Sequence, residues 1–396
     1  MLLIFSLVAG LVSYGVSAYA LSRLATLFDR LETLFDIGSG TLSERLSFEL
    51  YLISAGLLFL YFIVGKALPL KWMRPLGWLS ALWMAYLTLV LFYAGSIHLI
   101  EWSVLAIFDL ESEHIGMTLL TTLSLVSVHV GLVWGVYNAS RSPRLKKVKI
   151  CHSMVGATLD GFKVLQLSDV HIGPTVGGRF IKRLTSLIER AKPDLIVMTG
   201  DLVDGEVKLL GPEVEDFLAL SQLAPQGMLL ITGNHEYISG AEPWVSFIKS
   251  KGGRVLENEH VMIERENAKL AVIGIEDWDA ARFDPRRRPL LSEAMTDIPD
   301  DAFKLLLAHQ PKAATEAAEA GVHLQLSGHT HAGQIFPFNF LIYLDQPYNL
   351  GYYQVGEMAL YVNPGTAYWG PPLRLGTRSE VTLFTLTENR PKATIA

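Results

Sequence analysis

The chain has 396 residues, with 33 Lys and Arg against 39 Asp and Glu and a net charge of −6 at pH 7. That balance excludes general nucleic-acid binding, and the single cysteine, Cys151, excludes internal disulfides and thiolate metal sites. Half of the residues are hydrophobic, and they are unevenly spread. Residues 1–140 hold six Lys/Arg, nine Asp/Glu and most of the long apolar runs, whereas 141–396 have the mixed composition of a soluble domain large enough to bury its own core.

A hydrocarbon core is crossed by about 20 apolar residues in a helix. Four segments satisfy this: 2–21, 50–70, 76–100 and 117–137. They predict an all-α transmembrane domain of about four helices over 1–140, with Trp72, Trp78, Trp102 and Trp134 near segment ends as interfacial aromatics. The first segment also carries Ala18-Tyr19-Ala20, which has the form of a signal-peptidase site. No Lys or Arg precedes its apolar run, so it reads as an uncleaved helix. The connection after it, with Arg23, Arg30 and Arg45, is amphipathic and reads either as an interfacial helix or as a solvated loop helix.

The loop between the second and third segments has Lys71 and Arg74, with Lys66 close by, and the next loop has no Lys or Arg. Arg141, Arg144, Lys146, Lys147 and Lys149 follow the fourth segment. The positive-inside rule then makes this a multi-pass membrane protein whose large C-terminal domain faces the cytoplasm.

Residues 141–157 read as a basic linker around Pro143 leading into a first strand. Over 158–396 short apolar runs alternate with amphipathic stretches, an α/β pattern. Strands are expected at 162–169, 194–201, 227–234, 270–277, 303–309, 322–329, 358–363 and 380–386, and helices at about 178–192, 212–223, 241–251 and 311–320. The run 335–344 reads as a core strand or as an apolar surface, and Pro337 and Asn339 are unfavourable inside a central strand. Arg286-Arg287-Arg288 reads as a solvated loop or as a contact for anionic headgroups.

Several of these strands stop at polar, metal-competent residues: Asp169 and His171, then Asp201, then Asn234 and His235, then His309, then His329 and His331. Such residues at strand ends mark the ligand edge of an α/β fold. Carboxylate, imidazole and amide donors without thiolate suit Mn, Fe, Zn or Co. Seven donors, Asp169, His171, Asp201, Asn234, His309, His329 and His331, suit two ions that share a bridging carboxylate. His329 and His331 are expected to reach one small volume as an i, i+2 pair in extended backbone. His98, His114, His129, His152, His260 and His323 lack such a context and receive no role.

The series SDVHIG, TGDLVDG, TGNHEY, LLLAHQP and SGHTHAGQ resembles the motifs of the calcineurin-like metallophosphoesterase superfamily, in order and approximate spacing, over about residues 160–390. The resemblance implies a four-layer α/β/β/α sandwich and a cofactor of two divalent metal ions, with manganese first among the candidates. It implies that Asp169, His171 and His331 hold one ion and Asn234, His309 and His329 the other, with Asp201 bridging. It also implies that His235 contacts the scissile phosphate or protonates the leaving oxygen while a metal-bridging hydroxide attacks.

The tail GTAYWGPPLRLG resembles membrane-associated bacterial members, near the UDP-2,3-diacylglucosamine pyrophosphatases, which implies a bacterial inner membrane. Arg374 is expected to bind a second phosphate or to form a structural ion pair. The expected substrate is a phosphodiester or pyrophosphate in a lipid or lipid-linked precursor, with the bilayer as partner. The alternatives are a soluble nucleotide or phosphoprotein substrate, and a membrane sensor that keeps the fold without catalysis.

Overall fold

A computed structural model describes residues 69–108 and 115–388. The expected span 2–21, the connection after it, and residues 50–68 of the expected span 50–70 lie outside the described residues. Contacts divide the chain into a helical unit ending at Tyr137, which also takes in 370–373, and an α/β unit comprising the rest from Asn138.

In the helical unit, α1 (Leu70–Leu89) runs through a π-helical stretch, Val90–Ala94, into α2 (Gly95–Phe108), and α3 covers Ile115–Ser140. Leu70–Phe108 and Thr122–Ser140 are long and apolar enough to cross a membrane. Leu99, Trp102, Ile107, Val130, Val133 and Trp134 are exposed over more than half their surface. Apolar residues turned outward in this way suit a hydrocarbon solvent.

The α/β unit contains two six-stranded mixed sheets. In chain order its elements are β1 (Arg144–Cys151), α4 (Gly156–Leu159), β2 (Lys163–Leu167), α5 (Gly178–Ala191), β3 (Leu195–Thr199), α6 (Val207–Leu218) and β4 (Met228–Ile231). There follow α7 (Asn234–Ser239), α8 (Ala241–Ser250), β5 (Arg254–Val255), β6 (Glu259–Arg265), β7 (Ala268–Gly274), α9 (Leu291–Ala294) and β8 (Phe303–Leu307). The last are α10 (Ala314–Glu319), β9 (Leu324–Ser327), α11 (Phe338–Leu341), β10 (Gly351–Val355), β11 (Met358–Val362) and β12 (Glu380–Thr387).

The first sheet has the order β1-β12-β2-β3-β4-β5 and the second β10-β11-β9-β8-β7-β6. Strands β2 to β5 run parallel, as do β7, β8, β9 and β11. Parallel neighbours need crossovers, and helices supply them. Val164, Val197, Leu229 and Ile231 of the first sheet share one core with Leu270, Val272, Leu305, Leu307, Leu324 and Leu326 of the second. The two sheets therefore face each other. Ile273, Leu306 and Leu360 point the other way, onto Ala313, Ala314 and Ala317 at α10. Helix α5 buries Phe180, Ile181, Leu184, Leu187 and Ile188, one face at helical spacing, and stops where Lys192 turns left-handed at φ 48°.

All eight expected strands form. The first strand expected within 141–157 forms too, but it starts at Arg144 and takes in the basic stretch read as linker, pairing parallel with β12. Lys146 stands in phase with Val148 and Ile150 and masks their alternation, and the three lysines blunt a sheet edge. The run 335–344 is no core strand: it forms α11 and a 3₁₀ turn, Ile342–Leu344. Of the three consecutive arginines, Arg286 pairs with Asp284 at 2.8 Å, and Arg287 with Glu257 and Glu276 at 2.7 and 2.9 Å. These two charges thus have acidic partners within the protein.

Candidate metal centre

The loops after β2, β3, β4, β8 and β9 all open at the C-terminal ends of parallel strands, and they bring the seven predicted donors together. In one group, His171 Nε2 lies 3.0 Å from His331 Nε2, and His331 Nε2 lies 3.4 Å from Asp169 Oδ1. In the other, Asn234 Oδ1 is 3.1 Å from both His309 Nε2 and His329 Nδ1. Asp201 Oδ2 is 3.2 Å from His309 Nε2 and 3.9 Å from His171 Nε2, so its carboxylate stands between the groups.

This donor set fits two divalent ions. Ring nitrogens of different histidines face one another at 3.0 and 3.3 Å, an arrangement in which their lone pairs converge. Asp169 and Asp201 are buried, and two buried carboxylates call for compensating cations. Asp169, His171 and His331 would hold one ion and Asn234, His309 and His329 the other, with Asp201 shared.

Electrostatics keep Asp169, Asp201, His329 and His331 in ligand-competent forms, whereas, against burial, the buried carboxylates, Asp201 foremost, raise His309 well above the usual imidazole range, so an ion would displace its proton. Burial opposes ionisation of Asp169, but His331 and His309 outweigh it and hold its pKa down to about 2. Asp201 is held well below the usual carboxylate range, against burial, by His309, His235 and His171. Burial pushes His329 and His331 down to about 4, where they are neutral at pH 7.

The ligands are fixed by unusual backbone. Asp169, His171, Asp201, His329 and His331 all have positive φ, between 49° and 70°. Non-glycine residues are uncommon there and gather at functional sites. The expectation of an extended GHTH pair is thus corrected. Thr330 is helical at φ −75° and ψ −22° between two left-handed histidines, and the turn sends His329 to one group and His331 to the other. Gly200 is required for close approach: at φ +86°, a Cβ there would lie 2.6 Å from His309 Nδ1 and 2.8 Å from Gly233.

Two acids assigned no role from the sequence complete the site. Asp204 Oδ1 accepts from His171 Nδ1 at 2.9 Å and from His235 Nδ1 at 2.6 Å. One carboxylate thereby orients both a ligand and the predicted proton donor, the outer-shell arrangement typical of ligating histidines. Burial would lower the pKa of His235, but Asp201 and Asp204 raise it to about 9. Glu236 accepts the backbone N–H groups of Asp201, Leu202, Val203 and Gly233 at 2.6–3.2 Å, tying the β3 and β4 loops together. The sequence signals were available: Asp204 is the second acid of TGDLVDG, and Glu236 follows His235 in TGNHEY.

Arg374 does not meet the expectation of a phosphate ligand. It is fully buried, and its guanidinium donates to the carbonyls of Ala367, His331 and Gly365. Its contact with His331 Nδ1 is 3.3 Å. Its donors are used in holding the 365–367 loop against a metal ligand.

Residues 162–333 match the calcineurin-like phosphoesterase family. A zebrafish protein named transmembrane protein with metallophosphoesterase domain is 36% identical, over 68% of this chain and 63% of its own length; the match thus spans just under two thirds of that relative. A metallophosphoesterase from Helicobacter pylori strain J99 is 32% identical, over 72% of this chain and 75% of its own. One from Campylobacter jejuni is 30% identical, over 83% and 88% respectively. With its seven donors gathered at the strand ends, the chain belongs to the calcineurin-like metallophosphoesterase family.

Proposed function

We propose that the protein is a membrane-anchored, dinuclear metal-dependent phosphoesterase that hydrolyses a phosphodiester or pyrophosphate bond in a lipid or lipid-linked precursor. The observation that carries the reading is the convergence of seven metal donors beside His235, whose Nδ1 is fixed by Asp204. Bound divalent ions, manganese foremost, supply neutralisation of the phosphate oxygens and lower the pKa of water toward neutrality.

The chain's own residues do the rest. Hydrolysis adds water across a P–O bond: the hydroxyl goes to phosphorus and a proton to the departing oxygen. His235 supplies that proton from Nε2, since Asp204 holds the proton on Nδ1. Asp201 fixes the backbone of the same residue, accepting the His235 N–H at 2.8 Å. Asn234 and His235 also contact the substrate phosphate.

The two described helices of membrane length support an anchored protein, and the basic residues after α3 support a cytoplasmic catalytic domain in a bacterial inner membrane. An accessibility assay on a C-terminal tag tests that orientation; labelling from outside would reverse it. Purified protein reconstituted with Mn²⁺ is expected to hydrolyse detergent-dispersed lipid pyrophosphates faster than nucleotides or bis-p-nitrophenyl phosphate. Preference for nucleotides or phosphopeptides would leave the membrane as an address only. Two bound ions with no hydrolysis of any ester would return the non-catalytic sensor.

A further inference from the structure

Immediately after His331 the chain does something that a soluble domain seldom does. Between Phe336 and Leu344 it turns apolar residues outward: Phe340, Tyr343 and Leu344 are 63%, 58% and 85% exposed, with Phe336 and Leu341 close behind. Over the next residues the polarity inverts again, with Gln346 and Asn349 buried. Contiguous exposed apolar surface of this kind marks a binding face.

The segment is not a loose loop. At Gly333 (φ +74°), an added Cβ would lie 2.2 Å from Asn339 Cα, so α11 is seated directly against the turn that carries His331. Thr330 Oγ donates to the Asn349 carbonyl at 2.6 Å, Asn349 Nδ2 to the Asn339 carbonyl at 3.1 Å, and Gln346 Nε2 to Gln310 Oε1 at 3.2 Å. The face is thus pinned to the loops of His309, His329 and His331.

It also connects to the reacting centre. Trp369, 54% exposed, meets the His235 imidazole edge-on at 5.7 Å. Gln334 holds its backbone on both sides, donating to the Trp369 carbonyl at 2.8 Å and accepting its N–H at 2.9 Å. Gln334 lies in the chain between His331 and the apolar run, two residues before Phe336, so the residue that holds Trp369 leads directly into that run.

Resting on the phosphoesterase reading above, we propose that Trp369 and the Phe336–Leu344 face form the subsite for the hydrocarbon part of the substrate, taking the alkyl or acyl chain of a lipid phosphate. A lipid fits better than a protein partner because the face begins at His235: its occupant is the molecule whose phosphate reacts, whereas a docked protein would cover the centre. The face offers hydrocarbon contact rather than a second anion site. None of Phe336, Phe340, Leu341, Tyr343, Leu344 or Trp369 carries a charge, and the nearby Lys312 is matched by Asp345 at 2.9 Å.

The test is binding of non-hydrolysable methyl- and hexylphosphonate to the full-length, Mn²⁺-loaded protein in one detergent, by calorimetry. Each buried methylene adds several-fold in affinity, so hexylphosphonate is expected to bind at least about tenfold tighter than methylphosphonate. The double variant Phe340→Ser, Leu344→Ser and the single variant Trp369→Ala should each cut that ratio severalfold. Equal affinity of the wild type for both phosphonates overturns the inference, and so does a ratio that none of the variants changes. Hydrolysis of p-nitrophenyl esters is measured separately. No hydrolysis of these or of the lipid pyrophosphates would sink the phosphoesterase reading while the binding ratio still decides the subsite.

Discussion

Asp204 gives the sharpest test of how the centre is held together. One oxygen of its carboxylate serves both His171 and His235, at 2.9 and 2.6 Å. Asp204→Asn keeps an acceptor at the same place and removes only the charge. A charge-assisted hydrogen bond is worth about twice a neutral one, so each contact loses about 1–1.5 kcal/mol. At His235 that corresponds to about tenfold in kcat and a pKa about one unit lower. At His171 it corresponds to about tenfold weaker metal binding.

The sign of the pH effect is fixed by the role. A proton donor works while protonated, so the alkaline limb of the pH–rate profile should move to lower pH in the variant. Asp204→Ala, which leaves both Nδ1 protons without an acceptor, should cost about 10²–10³ in kcat at saturating metal. The assay is kcat on bis-p-nitrophenyl phosphate across pH, with metal content measured in parallel. An Asp204→Ala protein with normal turnover and an unmoved alkaline limb would refute the shared-carboxylate reasoning. Lost metal with unchanged turnover at saturating Mn²⁺ would restrict Asp204 to the His171 side.

Other consequences are separable. His329→Ala and His331→Ala should each reduce stoichiometry from two ions toward one, emptying different sites, as measured by metal analysis after dialysis; equal loss from both sites in both variants would contradict the division of the pair. Gly333→Ala forces a Cβ 2.2 Å from the Asn339 main chain at φ +74° and should destabilise the domain by about 2–4 kcal/mol, read as a lowered thermal midpoint. His323, remote from the metals, is held down to about 4 by burial, His152 and Lys304. The unfolded chain therefore binds its proton first, and stability present above about pH 6.5 is lost as pH falls toward 4. Partial exposure limits that loss to about 1–2 kcal/mol, and His323→Gln should flatten the acid side of a denaturation-versus-pH series.

What the sequence revealed follows from what it encodes locally. Strands buried on both faces are apolar runs, so β2, β3, β4, β8 and β9 were readable, and with them the donors at their ends. The start of β1 was obscured because an edge strand tolerates lysine, and short β5 and half-buried β6 show no clean alternation. Arg374 looked available for phosphate because its burial depends on the 365–377 loop folding around it. The GHTH pair was expected to be extended, but His329 and His331 take positive φ around a helical Thr330, a turn that the local sequence pattern does not announce. Asp204 was visible as a letter, but its two contacts join residues from three separate loops.

The place of β12 has a consequence for biosynthesis. This strand, Glu380–Thr387, lies between β1 and β2, so the first sheet cannot close until nearly all the domain has been made. Until then β1 and β2 each present an unpaired edge, and pairings so distant in sequence form late. A chain stopped before residue 380 should aggregate through those edges even though every metal ligand has already been synthesised.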